Sequence, residues 1–190
     1  MSPSSNPETY RKIELTFTPS RYLYKNKIAE IKWLLQEGNY QRSAGPVNFI
    51  INHASQWLGP NHPVLLELHR IMAEFFAERP EMNHMALKHA HEALEIHRSL
   101  LGKEDEPLWR DYFLLAKAEQ ARQEHETSLS LLVSAKKLAN IDHLGSFDDY
   151  GELCLTLGRC YTYLRRYKEA YLTVKDLYRL LKDNVDRDSL

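Results

Sequence analysis

Glycine and cysteine are scarce in this chain, which has seven of the first and two of the second among 190 residues. So few glycines, beside 43% hydrophobic and 27% charged residues, exclude a turn-rich β protein or a disordered chain and suit a helical one. Cys154 and Cys160 lie six apart in a helical pattern, neither a redox Cys-x-x-Cys nor a zinc-ligand spacing, so reduced buried thiols are expected. No charge of one sign dominates. A net charge of −1 lacks the strongly basic face that draws nucleic acid or anionic membrane. No apolar run approaches the roughly 20 residues of a membrane span, and Met1-Ser2-Pro3-Ser4-Ser5-Asn6-Pro7 has neither part of a secretory signal. The expectation is a cytoplasmic chain, with the nucleus as the alternative.

Three of the seven glycines fall at one spacing. Gly59, Gly102 and Gly145 stand forty-three residues apart, each after a leucine (Leu58, Leu101, Leu144) that ends an apolar run. A fixed period of this size signals a repeat protein. Beyond Ser20, apolar residues recur at three and four, as in Ile28, Ile31, Leu34 and Leu35, or Leu68, Ile71, Met72, Phe75 and Phe76. Breakers such as Gly38-Asn39, Gly59-Pro60, Arg79-Pro80, the polar Gln123 to Glu126 and Arg165-Arg166 divide this pattern. The expected helices are 22–36, 41–57, 62–78, 83–100, 106–122, 125–139, 148–164 and 167–183, an all-α protein of four antiparallel pairs. Residues 1–19 read as a loosely ordered arm, 20–183 as one helical domain, and 184–190 as a flexible tail. The arm's aromatic residues, with Tyr22, Tyr24 and Trp33 after it, suit a cap on the open end of a stack.

The last pair carries Leu157-Gly158-Arg159-Cys160-Tyr161, then Tyr167 and Ala170, which resembles the tetratricopeptide repeat (TPR). Ala73 and Ala116 align with Gly158, and Ser43, Ala86 and Ser128 with Ala170, where helix axes approach and large side chains would separate them. The repeat of 42–43 residues is longer than the ordinary TPR period. Kinesin light chains are similar in this: Ala93-Leu94-Glu95-Ile96 with Leu101-Gly102, and Leu58-Gly59-Pro60-Asn61-His62-Pro63, resemble their repeat joints. The helical carboxy-terminal domain of SET-and-MYND proteins is similar too, although a SET core and the MYND cysteines are missing. The resemblance covers about residues 22–183 and implies a right-handed α-α superhelix of four TPR-like pairs.

That resemblance also implies a function: a non-catalytic adaptor or scaffold that binds a peptide or helix of a protein partner on its concave face. Carried over by alignment, the groove positions are Lys32; Arg70 and Glu74; Arg110, Phe113, Leu114 and Lys117; and Leu155, Arg159 and Tyr163. Three of the four equivalent positions Lys32, Glu74, Lys117 and Arg159 are cations, which beside Phe113 and Tyr163 suits a segment of acidic residues with a hydrophobic anchor. Kinesin light chains take peptides of that kind. The competing reading pairs these cations with neighbours such as Glu74, Glu119 or Glu152. The asparagines of a chaperone-tail clamp are missing. A second expectation is a structural subunit or excised domain of a motor, ciliary or methyltransferase-associated assembly, with no free peptide site.

Catalysis and cofactors are not expected. There is no Gly-x-Ser-x-Gly, phosphate loop or His-Glu-x-x-His, and Asp148-Asp149 reads as a helix-start pair. His84, His89, His91 and His97 do not share a helical face, since His89 and His91 differ by about 200°. The cations near the end, Arg165, Arg166, Lys168, Lys175, Arg179 and Lys182, read as a solvated final helix, with head-to-tail association or an acidic second partner as the alternative.

Overall fold

The computed structural model describes residues 23–101, 108–139 and 147–188. Within them lie eight α-helices and no strand. The helices are α1 over 23–36, α2 (Tyr40–Leu58), α3 (Pro63–Ala77), α4 (Asn83–Leu101), α5 (Leu108–Ala121), α6 (His125–Leu138), α7 (Phe147–Tyr163) and α8 (Tyr167–Asp188), with a short 3-10 turn at Pro80–Met82 before α4. The first seven fall within two residues of the expected limits. Two details differ from a simple reading of breakers. Pro46 lies inside α2 without ending it, and α8 continues to Asp188, where the sequence offers no glycine or proline to stop it. The arm at 1–19, Gly102 and Gly145 lie outside the described residues.

The chain divides into two compact units, Met1–Leu68 and His69–Leu190. In the first, α1 buries Tyr24, Ile28, Ile31, Leu34 and Leu35, and α2 buries Ser43, Val47, Ile50 and Ala54. These are single stripes at intervals of three and four, as an amphipathic helix requires. Tyr24 Oη reaches His53 Nδ1 at 2.5 Å, and the His53 ring stacks on Phe49.

In the second unit each helix packs on the next along α4, α5, α6, α7 and α8. Ala73, Ala90, Leu94, Leu108, Leu114 and Leu115 form one core cluster. Another joins Trp109, Phe113 and Ala116 of α5, Leu129, Leu132 and Ala135 of α6, and Leu153, Leu157 and Cys160 of α7. Fully burying a leucine of this kind contributes about 1.5–3 kcal/mol. Small residues stand where helices approach: Ala73, Ala86, Ala116 and Ser128 are all at most 1% exposed, and Ser128 Oγ donates to the Ala116 carbonyl at 2.9 Å. A methyl group on Gly158 would meet Val174 Cγ2 at 3.4 Å, so alanine fits there in ordinary van der Waals contact.

Three of the turns inside helix pairs share one hydrogen-bond pattern. Gly38 N–H donates to Leu35 O and Asn39 N–H to Leu34 O; Gln123 N–H to Gln120 O and Glu124 N–H to Glu119 O; Arg165 N–H to Thr162 O and Arg166 N–H to Tyr161 O. This is the Schellman closure, which needs its first residue in the left-handed region. Gly38 has φ +73, but Gln123 (φ 67) and Arg165 (φ 59) hold that conformation with a side chain. Arg165→Gly is therefore expected to raise stability by about 0.5–1 kcal/mol and Gly38→Ala to lower it by about 1 kcal/mol, measured by urea unfolding. Loss of stability in Arg165→Gly, or no loss in Gly38→Ala, would contradict this account of the turns.

Candidate functional site

The polar residues expected on one face occupy three different kinds of environment. Lys32, in the first unit, pairs with Glu67 of that unit at 3.1 Å, both side chains about half exposed. In the second unit Arg110 approaches Glu74 at 3.6 Å, and Lys117 Nζ lies 2.9 Å from Glu152. Such exposed pairs contribute about 0–1 kcal/mol each and leave the side chains close to solvent. Arg159 differs. It is exposed, its Nη2 donates to Thr156 Oγ1 at 3.1 Å, and it has no ion pair among the described residues.

Arg70, Phe113 and Leu114 require correction. Arg70 sets its guanidinium bidentately on Asp111, with Nε 2.6 Å from Oδ1 and Nη2 2.6 Å from Oδ2. Asp111 is fully buried, so Arg70 is held inward as its counterion. His97 Nδ1 also contacts the Asp111 carboxylate. Phe113 and Leu114 are 5% and 2% exposed and belong to the core clusters. Their α5 positions turn toward α6 and α4 because the apolar stripe of that helix is wider than the repeat pattern implies: Leu108, Trp109, Phe113, Leu114, Leu115, Ala116 and Ala118 are all buried. Leu155 and Tyr163 remain exposed, at 51% and 65%.

A cleft of about 640 Å³ gathers three of the anticipated residues, Lys117, Arg159 and Tyr163. Its other walls come from Ala77 of α3, Gln120 and Ala121 of α5, Gln123, His125 at the start of α6, and Thr156 of α7. The left-handed turn at Gln123 brings His125 back over the end of α5. There its ring stacks on Tyr163 with centroids 4.6 Å apart and planes 4° from parallel. Two buried polar atoms in the lining, Gln120 Nε2 and His125 Nδ1, have no hydrogen-bond partner among the described residues. Leaving a buried donor unpaired costs about 1–3 kcal/mol, a cost that a ligand acceptor would relieve. Gln120, His125 and Thr156 were not found from the sequence, because the contacts that bring them together join different helix pairs.

The remaining reactive groups are built into the packing. Cys154 and Cys160 are buried free thiols, and burial pushes both above the ordinary thiol range, which disfavours the nucleophilic thiolate. Burial, with help from Cys154, pushes the Tyr150 hydroxyl up to about 12. His69 and His89 face each other with their Nδ1 atoms 2.9 Å apart, and His84 and His91 are exposed elsewhere on α4. Among the described residues no three histidine, cysteine, aspartate or glutamate side chains converge to hold a metal ion, and no helix is long and apolar enough to cross a membrane. Neither protein-family models nor curated proteins match this chain.

Proposed function

We propose that the protein is a non-catalytic adaptor whose cleft between α3, α5 and α7 binds a peptide or helix of a partner protein, through an acidic side chain and an apolar anchor. The observation that carries this reading is Arg159: an exposed guanidinium without a carboxylate partner among the described residues, one wall of a cleft that also holds the unpaired Gln120 Nε2 and the stacked Tyr163. A guanidinium takes a carboxylate in two parallel hydrogen bonds, and an aromatic ring fixed by stacking loses little conformational freedom on binding. Lys117 adds a second cation, 5.5 Å from the Phe113 ring and shared with Glu152. A TPR-like right-handed superhelix places such a cleft on its concave wall, which fits the small residues at the helix crossings. On this reading a site made of surface side chains and a few fixed polar groups recognises a partner rather than transforming it.

The test is fluorescence anisotropy with a labelled peptide that places tryptophan among aspartates and glutamates. Arg159→Glu is expected to weaken binding tenfold or more while circular dichroism stays unchanged, because Arg159 is exposed. A peptide with asparagine and glutamine in place of its acids should lose affinity for the wild type and be indifferent to the substitution. Equal binding of the acidic peptide by wild type and variant would remove the cleft from consideration.

A further inference from the structure

The α7–α8 pair leaves bare a surface that the preceding pair keeps covered. With the repeat step of 42, Phe113, Leu129 and Leu132 of α5 and α6 correspond to Leu155, Tyr171 and Val174. The first three are 5%, 6% and 0% exposed, because Leu153, Leu157 and Cys160 of α7 pack against them. Their counterparts are 51%, 63% and 45% exposed. Between them runs an open groove of about 580 Å³ lined by Leu155, Gly158, Thr162, Ala170, Tyr171 and Val174. Along α8 the exposed Tyr167, Tyr171, Val174, Tyr178 and Leu181 continue it as a stripe at intervals of four and three.

The covered groove shows what fits the open one. Its occupant is a helix with apolar residues at i, i+4 and i+7 (Leu153, Leu157, Cys160) and an acid just before the first, Glu152, which pairs with Lys117. Arg159 stands at the position equivalent to Lys117 and has no such acid among the described residues. The cations Lys168, Lys175, Arg179 and Lys182 also flank the α8 stripe on one side, whereas Glu169 and Asp176 lie on the far side of the helix. We propose that this groove docks an acidic amphipathic helix of a partner protein, laid against α7 and α8 as α7 is laid against α5 and α6. A second copy of the chain fits poorly: its own Leu153, Leu157 and Cys160 are buried, and two α8 stripes face to face would bring like charges together. This surface adjoins the cleft: Arg159 and Tyr163 line both, whereas Tyr171 and Val174 line the groove alone.

The probe is a labelled peptide of residues 147–163 with alanine at Cys154 and Cys160, titrated into the full chain. Saturable binding is expected, at least tenfold weaker to Val174→Glu and to Tyr171→Ser, and weaker for a peptide carrying Glu152→Gln, Asp148→Asn and Asp149→Asn. Val174 and Tyr171 are exposed and lie outside the cleft, so both variants should stay folded and keep the affinity of the tryptophan-acidic peptide; this separates failure here from failure of the cleft. Equal affinity for wild type and both variants, or no binding at millimolar peptide, overturns the proposal. So does sedimentation of the wild type as a dimer that Val174→Glu dissociates, which would make a second copy the occupant.

Discussion

Replacing Asp111 with alanine is expected to lower the unfolding free energy by about 3–5 kcal/mol, since removing one partner of a buried ion pair leaves the other uncompensated. Asp111 is fully buried and receives both Arg70 and His97. The two partners are not equally exposed to the loss. The Arg70 side chain is 21% exposed and can turn part of its guanidinium to water, whereas His97 is 2% exposed and cannot. Arg70→Met should therefore cost less than Asp111→Ala, and Arg70→Met/Asp111→Leu should recover part of the single loss, because a packed apolar pair needs no desolvation of charge. Urea unfolding of the three variants checks this. A double variant no more stable than Asp111→Ala would show that Arg70 and Asp111 do not act as one unit. Because this pair ties α3 to the start of α5, its loss should also disturb the cleft wall from Ala77 to Lys117.

Lowering the pH from 7.5 to 4.5 should destabilise the protein through the His69–His89 pair. Burial, then the charge of His69 and of Lys88, pushes His89 from 6.5 to about 4; burial also pushes His69 down, opposed by Glu92. In this window the unfolded chain binds more protons than the folded one, so stability is complete above about 6.5 and is lost as pH falls toward 4. A shift of that size corresponds to about 3 kcal/mol from His89. Protonation of both rings would also break the Nδ1–Nδ1 hydrogen bond, which needs one ring nitrogen to accept. His89→Leu should flatten the pH dependence of the urea midpoint over this range. The same slope in wild type and variant would assign the acid sensitivity to other groups.

Helix limits were legible in the sequence because they depend on neighbours in the chain. The stripe at Ile28, Ile31, Leu34 and Leu35 and the breaker at Gly38-Asn39 act within a turn or two, and Gly38 closes α1 as such a breaker should. Gln123 and Arg165 were legible only as polar interruptions; their left-handed backbone is imposed by the helices they join. The cleft was legible in part. Lys117, Arg159 and Tyr163 line one cleft, while Arg70 is turned to Asp111 and Phe113 and Leu114 are buried, because a repeat pattern assigns a face to a position and cannot say how wide the buried stripe is. The exposed tyrosines of α8 stand at helical spacing, and only the covered groove of the preceding pair marks them as an open face.

The sequence by itself determined that the chain is helical, where its helices start and stop apart from the end of α8, and which small residues stand at the crossings, since propensity, breakers and period act over short stretches. Only the tertiary structure decided which charges are spent. It turned Arg70 inward to a buried carboxylate, paired Lys117 with Glu152, left Arg159 with no carboxylate among the described residues, and stacked His125 on Tyr163. Those outcomes depend on distances between helices far apart in the chain, and a charge has no assigned partner until packing brings one within reach.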